Sequence, residues 1–217
     1  MLTRQDRTVS DCLSVLEQIA PLGLRHVGFK DVGVDAATLL ALNAGIKAMG
    51  AVSYLEVVAT SPEAAVNSAR MGVEIGIDRL LGGTQVSETL QILEGTGVKY
   101  YPFPGIPVGH PTVLGGDAAR VEADTAAFMA MGCAGVDLLA YRATEADPLD
   151  LVRAARRGCG RRGSLVCAGA VDSPARIAAL AQAGADAFTI GSAAFDGSFA
   201  PGAGGLVAQL KEILACV

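Results

Sequence analysis

The stretch Ser164–Ser192, SLVCAGAVDSPARIAALAQAGADAFTIGS, decides how the whole chain is read. Ser164 to Ala168 is a short apolar run that suits a buried strand, and Gly169-Ala170-Val171 follows as a tight turn. Asp172 or Ser173 can accept hydrogen bonds from the first amides of a helix, with Pro174 in its first turn, where the missing N–H leaves nothing unpaired. Gly184 ends that helix. Ala187 to Ile190 makes a second buried strand, and Gly191-Ser192 finishes it with residues small enough for backbone N–H groups to approach an anion.

Two strands that end in small-residue turns at the same end of a sheet set their free amides side by side. After strands seven and eight of a (βα)8 barrel this arrangement is the phosphate cup, and it assigns Gly169, Ala170, Gly191 and Ser192 to phosphate binding. On these residues the chain resembles the ribulose-phosphate-binding barrels, which include enzymes of histidine and tryptophan synthesis and several sugar-phosphate epimerases and decarboxylases. Those barrels commonly show Gly-Gly where this chain has Gly169-Ala170, a departure that bears on the second backbone approach. The bland alternative is that these glycines serve only close packing of helix on strand.

Of the 217 residues, 51% are hydrophobic and only 5% aromatic, with 27 glycines. This suits one domain, residues 1–217, built on a parallel sheet buried on both faces. A net charge of −5 argues against nucleic acid or an anionic membrane as partner, since both need a basic field. Arg153, Arg156, Arg157, Arg161 and Arg162 cluster at a helix C-terminus, where cations are favoured without any ligand. Five scattered cysteines without a CxxC pair read as reduced thiols of a cytoplasmic protein. No membrane-length apolar run appears despite a mean hydropathy of +0.42. Self-association into a homo-oligomer stays open.

An amphipathic helix, a glycine near its end, a short apolar strand and a polar loop recur along the chain. Seven helix-to-strand junctions are legible, and Met1 to Arg4 can supply a short first strand, with Arg4, Gln5 and Asp6 at its C-terminal end. Such alternation implies right-handed βαβ units and a single (βα)8 TIM barrel, with an open doubly wound sheet as the other topology. Helices are signalled to begin at Asp35, Ser61, Ser87 or its neighbours, and Asp117. Residues Pro102 to Gly116, PFPGIPVGHPTVLGG, break the rhythm, and a loop of roughly 12 to 15 residues in a compact domain is usually functional. It reads as a lid carrying His110.

Barrel enzymes draw their chemistry from strand C-termini and the loops that follow. In HVGFKD and SYLEVV, strand alternation turns Lys30, Tyr54 and Glu56 inward, so Lys30 and Glu56 fall side by side on neighbouring strands. A desolvated lysine can form a Schiff base or polarise an enolate while a glutamate moves a proton; a structural ion pair is the alternative. Strand six, GVDLLAYR, ends in Tyr141 and Arg142, and Arg142 can clamp a carboxylate or phosphate oxygen. Lys30, Glu56, Arg142 and His110 are thus the candidate catalytic residues. His26 and His110 form no HxH or HExxH pattern, and no GxGxxG follows a first strand, so no metal and no cofactor is expected.

Across nearly the whole chain the segments HVGFKD, SYLEVV, RLLGGT, YYPFPG, GHP, DLLAYR and FTIGSA resemble a group of uncharacterised prokaryotic (βα)8 barrels. The expectation is a phosphate-anchored enzyme acting on a small phosphorylated metabolite by lyase, epimerase or isomerase chemistry. A barrel that only senses such a metabolite, resembling the glycerol-phosphate-responsive antiterminators, is the rival.

Overall fold

The computed structural model describes residues 1–58 and 61–217. Two compact units, Met1–Lys99 and Tyr100–Val217, are taken in turn.

In the first unit β1 (Thr3–Arg4) and β2 (Arg7–Thr8) form an antiparallel hairpin joined by Gln5 and Asp6, both at positive φ. This corrects the expectation of a plain first strand running out at Asp6. Two central residues at positive φ define the tight turn whose twist matches a hairpin. The hairpin covers the edge of β3 (His26–Lys30): Leu2 N donates to Gly28 O, and the Thr8 hydroxyl both accepts from Lys30 N and donates to Lys30 O, each at 2.8 Å. One threonine side chain thus stands in for a neighbouring strand.

Helix α1 (Cys12–Ile19) leads into β3, α2 (Ala36–Ala48) into β4 (Val52–Val57), and α3 (Pro62–Ile75) into β5 (Arg79–Gly82). Strands β3, β4 and β5 are parallel neighbours, with Phe29 opposite Leu55 and Lys30 opposite Glu56. Asp35 and Ser61 cap α2 and α3 by accepting from Thr38 N and Ala64 N. Helix α4 (Val86–Leu93) starts without a side-chain cap, Gln85 preceding it, so Ser87 lies inside the helix. Phe29, Leu39, Leu42, Ile46, Leu55 and Leu80 are fully buried between strands and helices. β6 (Lys99–Tyr101) carries the chain onward, its first amide bonded to Asp78 O.

In the second unit the Pro102–Gly116 segment is a built hairpin rather than a loop without structure. β7 (Ile106–Val108) pairs antiparallel with β8 (Val113–Gly115), and His110 lies at the tip. Helix α5 (Ala118–Ala130) follows its cap Asp117, and β9 (Gly135–Leu138) comes next. β9 ends earlier than the sequence suggests: Ala140–Arg142 is a turn of 3-10 helix, closed by Arg142 N on Leu139 O. Helix α6 (Pro148–Cys159) buries Leu151, Val152, Ala154, Ala155 and Cys159, one stripe at helical spacing. Gly158 lets α6 approach α5, because a Cβ there would lie 2.7 Å from Glu122 O and Thr125 Cβ.

β10 (Ser164–Cys167) sits between β9 and β11 (Ala187–Phe188), all parallel. Helix α7 (Pro174–Ala183) connects β10 to β11, capped by Ser173 and stopped at Gly184. A short α8 (Ser192–Phe195) and α9 (Leu206–Leu214) complete the chain. Among the described residues no helix is long and apolar enough to cross a membrane.

Candidate active site

Two clusters stand at strand C-termini, one in each unit. In the first unit Lys30 is 5% exposed and its Nζ lies 2.8 Å from both Asp6 Oδ1 and Glu56 Oε1, themselves 6% and 4% exposed. The register of β3 against β4 places Lys30 opposite Glu56, as alternation requires. Asp6 arrives from the hairpin turn at positive φ. Desolvation pulls the Lys30 pKa down, but the attraction of Glu56 and then Asp6, with their hydrogen bonds, outweighs it and leaves the pKa raised. Lys30 is therefore a held ammonium ion.

Next along the chain, Asp31 accepts from Val58 N at 2.9 Å and from Ser68 Oγ at 2.6 Å. Burial raises its pKa, with those two donors opposing the rise. Asp31 thereby ties the end of β3 to the start of the connection after β4. At the opposite end of these strands a cleft of about 420 Å³ is lined by residues including Lys47, Asp78, Arg79 and Lys99. Its carboxylate is already committed: Asp78 accepts from Ser53 N and lies 3.2 Å from Lys47 Nζ. His26 bonds Tyr54 Oη there through Nδ1 at 2.9 Å, and burial with nearby Arg79 and Arg25 lowers its pKa.

In the second unit the cup residues follow neighbouring strands. Thr189 N donates to Cys167 O, so the turns at Gly169-Ala170 and Gly191-Ser192 leave β10 and β11 at one level. Gly169 and Ala170 have φ of 76° and 54°. Ala170 thus takes the left-handed backbone that Gly-Gly would take without strain, at a cost of roughly 1–2 kcal/mol for a residue with a Cβ. Among the described residues, the amides of Gly169, Ala170 and Gly191 donate to no protein acceptor.

Arg142 reaches this turn. A Cβ on Gly169 would collide with Arg142 Nε and lie 2.7 Å from its Cδ, so the guanidinium stem lies directly against Gly169. Arg142 Nη1 donates to Thr112 O at 3.0 Å, which links the turn to the β7–β8 hairpin. His110, two residues before Thr112, is exposed. Arg176 stacks over the Tyr141 ring at 4.6 Å and donates to Ala170 O and to Asp172, bracing the same turn from α7.

Lys30 with Glu56, and Arg142 with Gly169, are the pairs that the fold brings together. Asp6 is the partner that sequence reasoning left in the background, because Arg4-Gln5-Asp6-Arg7 carries none of the Asn-Gly or Asp-Gly signals of such a turn. Arg176 gave no signal beyond being one charge on a helix. The arginine cluster of α6 is engaged in ion pairs, Arg153 with Asp150, Arg156 with Asp186 and Arg157 with Glu122. Cys12, Cys133, Cys159 and Cys167 are buried, and burial raises every one of these thiols, Cys133 to about 12.

No protein-family model and no curated sequence matches the chain. Solved structures do. A native KDPGal structure superposes with a TM-score of 0.67 at 12% identity, over 97% of this chain and 92% of that one. Orotidine 5'-phosphate decarboxylase from Pyrococcus horikoshii gives 0.67 at 10% identity, over 94% and 91%. FabK from Thermotoga maritima gives 0.55 at 14% identity, over 74% of this chain and 48% of that one, so the chain spans about half the length of FabK. At these identities the likeness concerns the fold alone, and that fold is a TIM barrel.

Proposed function

We propose that the chain is an enzyme acting on a small phosphorylated metabolite by lyase, epimerase or isomerase chemistry. The observation that supports it best is Lys30, an ammonium at the end of β3 flanked at 2.8 Å by two buried carboxylates. In this reading the ammonium stabilises negative charge developing on an enolate oxygen, and Glu56 or Asp6 moves the proton. A proton held this firmly disfavours the imine route, which needs a free amine. The amides of Gly169, Ala170, Gly191 and Ser192 bind the phosphate, Arg142 adds charge, and His110 is a second acid–base group. Similar barrels include a 5'-phosphate decarboxylase and an aldolase, in keeping with this class.

The test is deuterium incorporation from D2O into a panel of phosphorylated ketoses, aldoses and hydroxy acids, followed by NMR. The wild-type protein is expected to exchange at least one panel member and Lys30→Met none. Gly191→Glu should abolish binding by setting a like charge among the amides. No binding of any phosphorylated compound, or equal exchange by Lys30→Met, would sink the reading. The arginine-rich face slightly favours the sensing alternative, and three of its five arginines pair with acidic neighbours within the fold.

A further inference from the structure

We infer that Arg176 is the positioning residue of the proposed phosphate turn and that the amide it aims is that of Val171; this rests on the phosphate site proposed above and adds one donor to it. One nitrogen holds the chain on both sides of Val171. Arg176 Nη1 donates to Ala170 O at 2.5 Å and to Asp172 Oδ2 at 2.7 Å. The guanidinium is held in turn: it lies over the Tyr141 ring, 4.6 Å from the centroid, and Tyr141 Oη donates to Arg176 O at 3.3 Å. Arg176 is thus fixed by the 3-10 turn that follows β9, and it pins the residue that carries the backbone strain, Ala170 with its φ of 54°.

The consequence falls on the peptide between Ala170 and Val171. That unit is planar and trans, so the N–H of Val171 points away from the carbonyl that Arg176 holds. Val171 is 3% exposed, and among the described residues its N–H donates to no protein acceptor. A buried amide in that state costs free energy comparable to a lost hydrogen bond, a cost that an acceptor on a ligand removes. The amides of Gly169 and Ala170 precede it in the same condition, and successive free amides in a turn make an anion-binding concavity. Arg176 Nη1 commits its hydrogens to Ala170 and Asp172, and the Asp172 carboxylate pairs its charge. Its effect on an anion therefore runs through the backbone it orients.

Backbone relaxation by NMR at the amides of Gly169, Ala170 and Val171, with titration calorimetry of inorganic phosphate, tests the role in the wild type, Arg176→Met and Arg176→Lys. The Arg176 side chain is 38% exposed, so both variants keep the core intact. Without phosphate the wild-type turn should show order parameters of about 0.85 and Arg176→Met values below about 0.6. A turn that is competent about a tenth of the time binds about tenfold more weakly, the loss expected for Arg176→Met. Arg176→Lys keeps the charge but not the planar group that stacks on Tyr141, so it too should bind more weakly than the wild type. On loading, the Val171 amide proton of the wild type should move downfield. Phosphate binding as tight in either variant as in the wild type, an Arg176→Met turn as ordered as the wild-type turn, or a Val171 proton that stays in place while phosphate binds, overturns the positioning role and leaves the phosphate site standing. Absence of phosphate binding to the wild type overturns the site and the role together.

Discussion

Lys30 is held by two carboxylates in a region almost closed to water, and that arrangement fixes what each substitution does. Lys30→Met leaves Asp6 and Glu56 buried and facing one another, which should cost about 3–5 kcal/mol in urea unfolding. Neutralising the carboxylates as well, in Lys30→Met with Asp6→Asn and Glu56→Gln, should recover much of that loss. A triple variant no more stable than the single one would show that packing of the lysine stem, not charge, is what matters. Ala170 makes a different point. Because its φ is 54°, Ala170→Gly should stabilise the protein by about 1 kcal/mol and keep the amide in place. A lower melting temperature for that variant would mean that the methyl group has packing value its exposure does not show.

At the scale of elements, the hairpin that carries Asp6 is built on a turn whose first central residue is poorly suited to it. Gln5 and Asp6 both sit at positive φ, where Gly, Asn and Asp are the usual occupants, so Gln5 is the misfit. Gln5→Asn should raise stability by a few tenths of a kcal/mol to about 1 kcal/mol, read as a shift in urea midpoint at constant slope. Asp6→Gly, equally good for the turn, should destabilise instead, since it removes a partner of Lys30. The contrast separates local backbone preference from tertiary charge pairing. On α7 the cap bond from Arg176 N to Ser173 Oγ is long, 3.4 Å, so Ser173→Ala should cost about 0.5 kcal/mol, the lower end for a cap.

For the molecule as a whole, the raised Lys30 pKa is a stability term with a definite pH window. A lysine whose folded pKa lies above its unfolded value, about 10.4, contributes stability fully present below that value. The contribution is lost as pH rises through the folded pKa. Unfolding free energy should therefore stay level in this respect through neutrality and fall above about pH 10.5, and the fall should be shallower in Lys30→Met with Asp6→Asn and Glu56→Gln. An identical alkaline slope in both proteins would place the titrating group elsewhere. The same held proton predicts that borohydride with a carbonyl substrate leaves no adduct on Lys30 at neutral pH, and a stable Lys30 adduct by mass spectrometry would restore the imine route.

The sequence by itself determined the alternation of helices and strands, because apolar periodicity, Asp35, Ser61, Asp117 and Ser173 as caps and Gly184 as a stop all act within a few residues. It also placed Lys30 beside Glu56, since period-two alternation on neighbouring parallel strands leaves little choice of face. Only the tertiary structure decided the rest. The turn at Gln5-Asp6, the bond from Arg142 to Thr112 and the hairpin within Pro102–Gly116 join residues whose local preferences do not announce them. Such contacts form because a buried ammonium, a guanidinium against a glycine and an uncovered strand edge each need a partner, and that need arises after the chain has folded around them.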